Sequence, residues 1–250
     1  MGKRFEKNYE VHYYDVNYKL ETSITTIINF FCDIGTKQSE ELGVGINEML
    51  SKGLTWVFYK YNIKIHKMPK YGENLKVTTT ATGFKKFYAS RRYEIFNEDG
   101  EKLVDGEGIF LLIDINKRRA VRIPVEQYEI YGVEEDSNFN IDVSRIEKLT
   151  EEMHNKHFYT RYSDIDSNRH VNNSRYVEWA IETIPLDMAL NAELKELVVV
   201  FQKECTYGTK IKASCQIREE DNGEIVALHK IESEEGVELT NLITKWKKID

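Results

Sequence analysis

The chain is poor in proline and cysteine and has no long apolar run, and each shortage excludes something. No stretch of its 250 residues approaches the ~20 consecutive apolar residues that a membrane helix needs. The three cysteines, Cys32, Cys205 and Cys215, are odd in number and lack CxxC spacing. That argues against a disulfide framework and for free thiols in a reducing compartment. The three prolines, set against 15 Tyr and 11 Phe, favour long uninterrupted strands. A net charge of −7 leaves no basic surplus for a nucleic-acid partner. The start, Met1-Gly2-Lys3-Arg4-Phe5-Glu6, has no apolar run after its basic residues, so it does not read as a secretory signal. Glu6 stands where a myristoylation signal wants Ser or Thr. The expectation is a soluble cytoplasmic protein with no membrane span and no nucleic-acid partner.

What the chain does have is one pattern used twice. Tyr9–Tyr14 alternates as a short strand, followed by Asp15-Val16-Asn17. Ile24, Ile27, Ile28, Phe31 and Ile34 then recur at helical spacing, with Thr22 or Ser23 as the cap and an end near Gly43. The second half repeats the order. His157–Tyr162 is followed by Asp164-Ile165-Asp166, then by Tyr176, Val177, Ala180, Ile181 and Ile184 on a helix capped by Asn172 or Asn173 and broken at Pro185. Each helix leads to a long strand, Thr55–Ile65 and Leu197–Cys205. Each strand leads to a Tyr-Gly turn, Tyr71-Gly72 and Tyr207-Gly208, and then to a meander punctuated by Asp99-Gly100, Asn222-Gly223 and Glu235-Gly236. One helix with a meander of long strands is an α+β unit. The polar, acidic stretch 133–152 reads as the connection between two such units.

The chemistry concentrates in residues 163–173, Ser-Asp-Ile-Asp-Ser-Asn-Arg-His-Val-Asn-Asn. Asp166, Asn168 and His170 alternate, so an extended or gently turning backbone points all three the same way. A carboxylate, an amide and an imidazole suffice to orient a carbonyl and move a proton. Glu204-Cys205, at the end of the run Leu197–Phe201, is the expected opposite wall.

These segments resemble the acyl-acyl-carrier-protein thioesterases of plant plastids and bacteria. Asp164–Asn173 with Tyr176 and Trp179 is similar to the family signature, and Phe201–Cys205 to its second active-site segment. Gly53–Val57, Ser90-Arg91-Arg92 and Asn116–Pro124 also resemble family segments, so the likeness runs from about Tyr9 to the C-terminus. It implies a tandem, or double, hotdog fold, two curved antiparallel sheets each wrapped round a central helix. The expected bounds are 1–132 for an N-terminal unit that holds the acyl chain, 133–152 for the linker and 153–250 for a C-terminal unit that carries the catalytic residues. The resemblance also implies hydrolysis of fatty acyl-acyl carrier protein, with no metal and no organic cofactor. The start at the first strand fits a bacterial enzyme without a transit segment.

Asp166, Asn168, His170 and Glu204 carry over as the catalytic set. Glu204 is assigned as general base toward water and His170 shares the proton work. Asn168 orients water or substrate. Asp166 fixes its neighbours or adds a second carboxylate near the carbonyl. Backbone N–H groups at the start of the second helix are candidates for the oxyanion. Cys205 offers a rival route, a nucleophile with His170 as base; otherwise it is a buried small hydrophobe. Cys32 and Cys215 read as core. His154 and His157 lack further metal ligands. The partner is an acyl carrier protein bearing a fatty acyl phosphopantetheine. An acidic carrier needs a local basic surface, and Arg91, Arg92, Arg118, Arg119 and Arg122 are the candidates. Acyl-CoA hydrolysis and a silent acyl-binding module are the alternatives; a homodimer is compatible with the reading.

Overall fold

The computed structural model describes residues 2–134, 140–166 and 168–249. It divides into two compact units, one formed by Met1–Tyr61 and Ile65–Val143, the other by Asn62–Lys64 and Ser144–Asp250. Of the acidic connection expected at 133–152, residues 135–139 lie outside the described residues. Residues 140–152 have no regular structure. They are tied down by side chains: Lys60 Nζ lies 2.8 Å from Asp142 Oδ2 in the first unit, and Gln216 Oε1 accepts the Thr150 N–H at 2.9 Å in the second.

The first unit contains β1 (Arg4–Glu10), α1 (Ile24–Glu41), α2 (Ile46–Ser51), β2 (Leu54–Ile65), β3 (Asn74–Lys85), β4 (Tyr88–Phe96), β5 (Lys102–Asp114), β6 (Arg119–Ala120) and α3 (Val125–Tyr131). Its strands run in the order β1-β3-β4-β5-β2, with β6 beside β5. The pairs β1–β3, β3–β4 and β4–β5 are antiparallel. Helix α1 rests on β1 and β3. Its Ile27, Ile28, Phe31 and Ile34 are completely buried, each worth about 1.5–3 kcal/mol relative to exposure.

The second unit contains β7 (His154–Tyr159), α4 (Asn173–Ile181), α5 (Leu186–Asn191), β8 (Ala192–Phe201), β9 (Lys210–Glu219), β10 (Glu224–Ser233) and β11 (Glu238–Lys248). Its order is β8-β11-β10-β9-β7, again antiparallel throughout. Helix α4 lies on β9, β10 and β11, burying Tyr176, Val177, Trp179 and Ala180.

Several expected boundaries move. The strands expected at Tyr9–Tyr14 and His157–Tyr162 end earlier, at Glu10 and Tyr159. In each unit a carboxylate bends the chain into a 3-10 turn, at Tyr13–Asp15 and Tyr162–Asp164. Asp15 Oδ2 accepts the His12 N–H at 2.9 Å and Asp164 Oδ2 accepts the Arg161 N–H at 2.8 Å. Helix α1 ends at Glu41 rather than near Gly43. Helix α4 ends at Ile181, before Ile184 and Pro185, and Pro185 instead precedes α5. The strand expected at Leu197–Cys205 is Ala192–Phe201, which leaves Gln202–Cys205 as a loop.

The loops that enter α1 and α4 repeat one another bond for bond. The Asn17 N–H donates to Glu21 O at 2.8 Å, and the Asp166 N–H to His170 O at 2.9 Å. Leu20 and Arg169 both take the left-handed conformation, at φ 58° and 66°. Ser23 and Asn172 then cap the helices, accepting from the backbone N–H of Thr26 and Ser174. The Tyr-Gly turns match as well. Gly72 (φ 79°) donates to Val11 O and Gly208 (φ 80°) to Thr160 O. Only glycine adopts that conformation without strain.

Candidate active site

The sequence places Asp166, Asn168 and His170 on one face by alternation, but the structure does not run this segment as a strand. The chain turns tightly at Asp166 and 168–170 rather than running extended. The Arg169 N–H donates to Asp166 O at 3.0 Å, and Asp166 Oδ1 accepts the Asn168 N–H at 2.8 Å. Asp166 therefore fixes its neighbours, and Asn168 is engaged through its backbone while its residue stays exposed. Asp, whose side chain closes such turns, suits this place.

His170 leaves the loop toward Gln202–Cys205. Its Nε2 is 3.2 Å from Glu204 Oε1, with side chains 32% and 46% exposed. The pair is thus within proton-transfer reach of each other and open to water. His170 and Glu204 are the two expected catalytic residues whose side chains the structure brings together.

Beneath the loop sits a charge cluster that sequence reasoning does not assign. Asp164 is buried and accepts from Arg161 Nη2 at 2.9 Å and Nε at 3.1 Å, with Arg175 Nε at 3.4 Å. Burial alone would raise its carboxyl, but the Arg161 hydrogen bonds and the Arg161 and Arg175 charges hold it below the usual carboxylate range. The Asn172 N–H donates to Asp164 O at 2.8 Å, so this one residue anchors both the entry to the loop and the start of α4. Its signal in the sequence is Arg161-x-x-Asp164, a charged pair three residues apart.

Cys205 is buried, with Sγ 3.2 Å from the Tyr176 hydroxyl. Burial pushes its thiol up and the Tyr176 bond offsets only part of that. A nucleophilic cysteine needs the opposite, a thiolate in an electropositive, accessible place. Cys215 is fully buried and Cys32 lies 3.9 Å from the Tyr61 hydroxyl.

The arginine set needs one correction. Arg91 does not face solvent. Its guanidinium is buried, donating to Gln38 Oε1 and to Thr79 Oγ1 at 3.2 Å and stacking over Tyr131 at 5.4 Å. On β4, alternation turns residue 91 inward and 92 outward. Arg92, Arg118, Arg119 and Arg122 are exposed.

Comparison with known proteins places these features. The chain matches the acyl-ACP thioesterase N-terminal domain over residues 2–131 and the acyl-ACP thioesterase C-terminal domain over 147–248. A structure from Lactobacillus plantarum assigned as an oleoyl thioesterase superposes with a TM-score of 0.91 at 24% identity, covering 100% of this chain and 98% of that one. The 12:0-ACP thioesterase of Umbellularia californica gives 0.86 at 21% identity, covering 98% and 94%. The palmitoyl-acyl carrier protein thioesterase of Gossypium hirsutum, a chloroplastic protein, is 25% identical over 98% of this chain and 64% of its own length. The Arabidopsis thaliana protein of the same name is 24% identical over the same shares. The chain spans about 64% of the length of these two curated relatives. Its architecture is the double hotdog, two antiparallel units each with its central helix. The chain belongs to the acyl-ACP thioesterase family.

Proposed function

We propose that this protein hydrolyses the thioester of fatty acyl-acyl carrier protein, releasing a free fatty acid and the carrier thiol. The 3.2 Å approach of His170 to Glu204, in a chain that matches both family domains, carries this reading. Glu204 takes a proton from water as the oxygen attacks the acyl carbon, and His170 passes a proton to the departing thiolate sulfur. The oxyanion is met at the start of α4 by the Asn173 N–H, since the Asn172, Ser174 and Arg175 N–H groups donate to Asp164 O, Asn172 Oδ1 and Asn172 O. Asp166 holds the loop and the Asn168 amide orients water or the carbonyl. The buried, protonated Cys205 favours water attack over a cysteine nucleophile.

In this reading the C-terminal unit, 153–250, carries the chemistry and the N-terminal unit, 1–132, holds the acyl chain, with 133–152 as linker. The acidic carrier docks on Arg92, Arg118, Arg119 and Arg122. Among the described residues the cysteines form no disulfide, which suits a reducing compartment, and we place the protein in the cytoplasm; among the described residues no helix is long and apolar enough to cross a membrane. The test is a panel of acyl-acyl carrier protein and acyl-CoA thioesters of varied length, assayed on wild type and Glu204→Ala. Turnover faster on carrier-protein than on CoA thioesters, and lost in the variant, supports the proposal. Equal or better turnover of CoA thioesters rejects the carrier-protein reading, and a fully active variant rejects Glu204 as its base.

A further inference from the structure

Glu204 sits in a loop, not on a strand, so something must hold it against His170. The residue after it is bound at three atoms. The Cys205 N–H donates to the Tyr176 hydroxyl at 3.1 Å, Cys205 Sγ lies 3.2 Å from the same hydroxyl, and Cys205 O accepts the Val171 N–H at 3.0 Å. Val171 in turn is the residue after His170. Tyr176 is buried on α4, and burial, reinforced by the neighbouring Cys205, pushes its phenol well above the ordinary value. It is therefore a fixed neutral hydroxyl. A buried Tyr hydroxyl normally has a partner, and here that partner is the backbone beside Glu204.

The first unit supplies the control. By the matched hydrogen bonds, Thr22 stands where Val171 does and donates to Pro69 O at 2.8 Å, so Pro69 stands where Cys205 does. Counting four residues from the caps Ser23 and Asn172, Ile27 stands where Tyr176 does. Proline has no N–H to offer, and isoleucine has no hydroxyl to receive one. The loop-to-helix frame forms in the first unit without the hydroxyl bridge. The fold does not require the bridge, and it occurs in the unit that bears the His170–Glu204 pair.

We propose that Tyr176 is a positioning residue for the reaction, its hydroxyl clamping the Cys205 backbone so that Glu204 is held at His170. This rests on the hydrolytic reading given above. The role belongs to the Tyr176 side chain and the Cys205 main chain; the Cys205 sulfur is secondary.

The experiment is Tyr176→Phe in the full chain. It keeps the ring, with Trp179 and Phe201 as neighbours at 5.4 and 6.1 Å, and removes only the hydroxyl. With an acyl-acyl carrier protein substrate the expected result is a kcat lower by about 10- to 100-fold and a KM within about twofold. In a Glu204→Ala background the same change should lower kcat no further, because the two act as one unit. The Cys205 amide should also exchange with solvent faster in Tyr176→Phe than in wild type. A wild-type kcat, or a loss that multiplies with that of Glu204→Ala, overturns the clamp. If wild type turns over no acyl-acyl carrier protein, the hydrolytic reading has failed, and if Glu204→Ala retains full turnover Glu204 is not the base; in either case exchange at Cys205 decides the clamp separately. Faster exchange in Tyr176→Phe upholds the clamp as a geometric fact, and unchanged exchange overturns it.

Discussion

Glu204 and His170 meet at 3.2 Å, one residue upstream of Cys205 and Val171, whose backbones share a 3.0 Å hydrogen bond. Their contact therefore follows from main-chain pairing between two loops, and the two side chains are replaceable without disturbing that pairing.

Glu204→Ala and His170→Ala should accordingly fold normally. Each should lose about 10²- to 10⁴-fold in kcat, the usual contribution of a positioned acid or base. Circular dichroism and thermal melts check the fold, and single-turnover kinetics check the chemistry. A folded Glu204→Ala with normal turnover removes Glu204 as the base.

Cys205→Ala keeps the N–H and C=O that hold the loop. It should retain activity within about tenfold of wild type, with the loss traceable to a small packing defect. No acyl adduct on Cys205 should appear by mass spectrometry during turnover. A folded but near-dead variant, together with a trapped acyl-cysteine in wild type, would establish nucleophilic catalysis instead and leave His170 as its base.

Charge reversal at Arg119 and Arg122 tests the docking surface. Arg119→Glu with Arg122→Glu should raise KM for acyl-acyl carrier protein by about tenfold at low salt and by less at high salt. Hydrolysis of a short pantetheine thioester should be unchanged. Equal effects on both substrates would move the carrier site elsewhere.

His229 makes stability pH-dependent. It is completely enclosed between Thr183 Oγ1 at 3.2 Å and Thr244 Oγ1 at 2.9 Å, and burial pushes its imidazole down to about 3. The native state keeps it neutral while the unfolded chain takes up a proton near 6.5. Below that value the unfolded state binds more protons, so this stabilisation is complete above about pH 6.5 and is lost as pH falls toward 3. The loss is about 1.4 kcal/mol per pH unit at most. The melting temperature of wild type should fall between pH 6.5 and 4 more steeply than that of His229→Gln. Parallel curves would show that another group governs acid unfolding.

The helices and the duplication were legible because caps and apolar spacing are local signals. Ser23 and Asn172 both occur in the predicted places. The strands before them were read too far along. Tyr13-Tyr14 and Tyr162 continue a strand-forming run, and only the hydrogen bonds of Asp15 and Asp164 divert it. The short α2, α3 and α5 give too few turns to show a period. The Arg91-Arg92 pair reads as surface charge, whereas strand alternation buries Arg91 and exposes Arg92. The Tyr176 hydroxyl was out of reach for another reason. A tyrosine on an apolar helix face looks the same whether its oxygen meets water or the backbone of a loop 29 residues away.

The matched loops separate frame from cargo. Asn17, Lys19, Glu21 and Met68 stand in the first unit where Asp166, Asn168, His170 and Glu204 stand in the second, by register from the paired bonds. Asn17 Oδ1 accepts the Lys19 N–H at 2.8 Å just as Asp166 Oδ1 accepts that of Asn168, so this position belongs to the frame, and one backbone design has accepted different side chains at the other three places within a single polypeptide. To a designer that makes the cap-and-loop entry a socket, already tested by nature for tolerance, into which a different set of polar groups can be written while the helix and sheet are left alone.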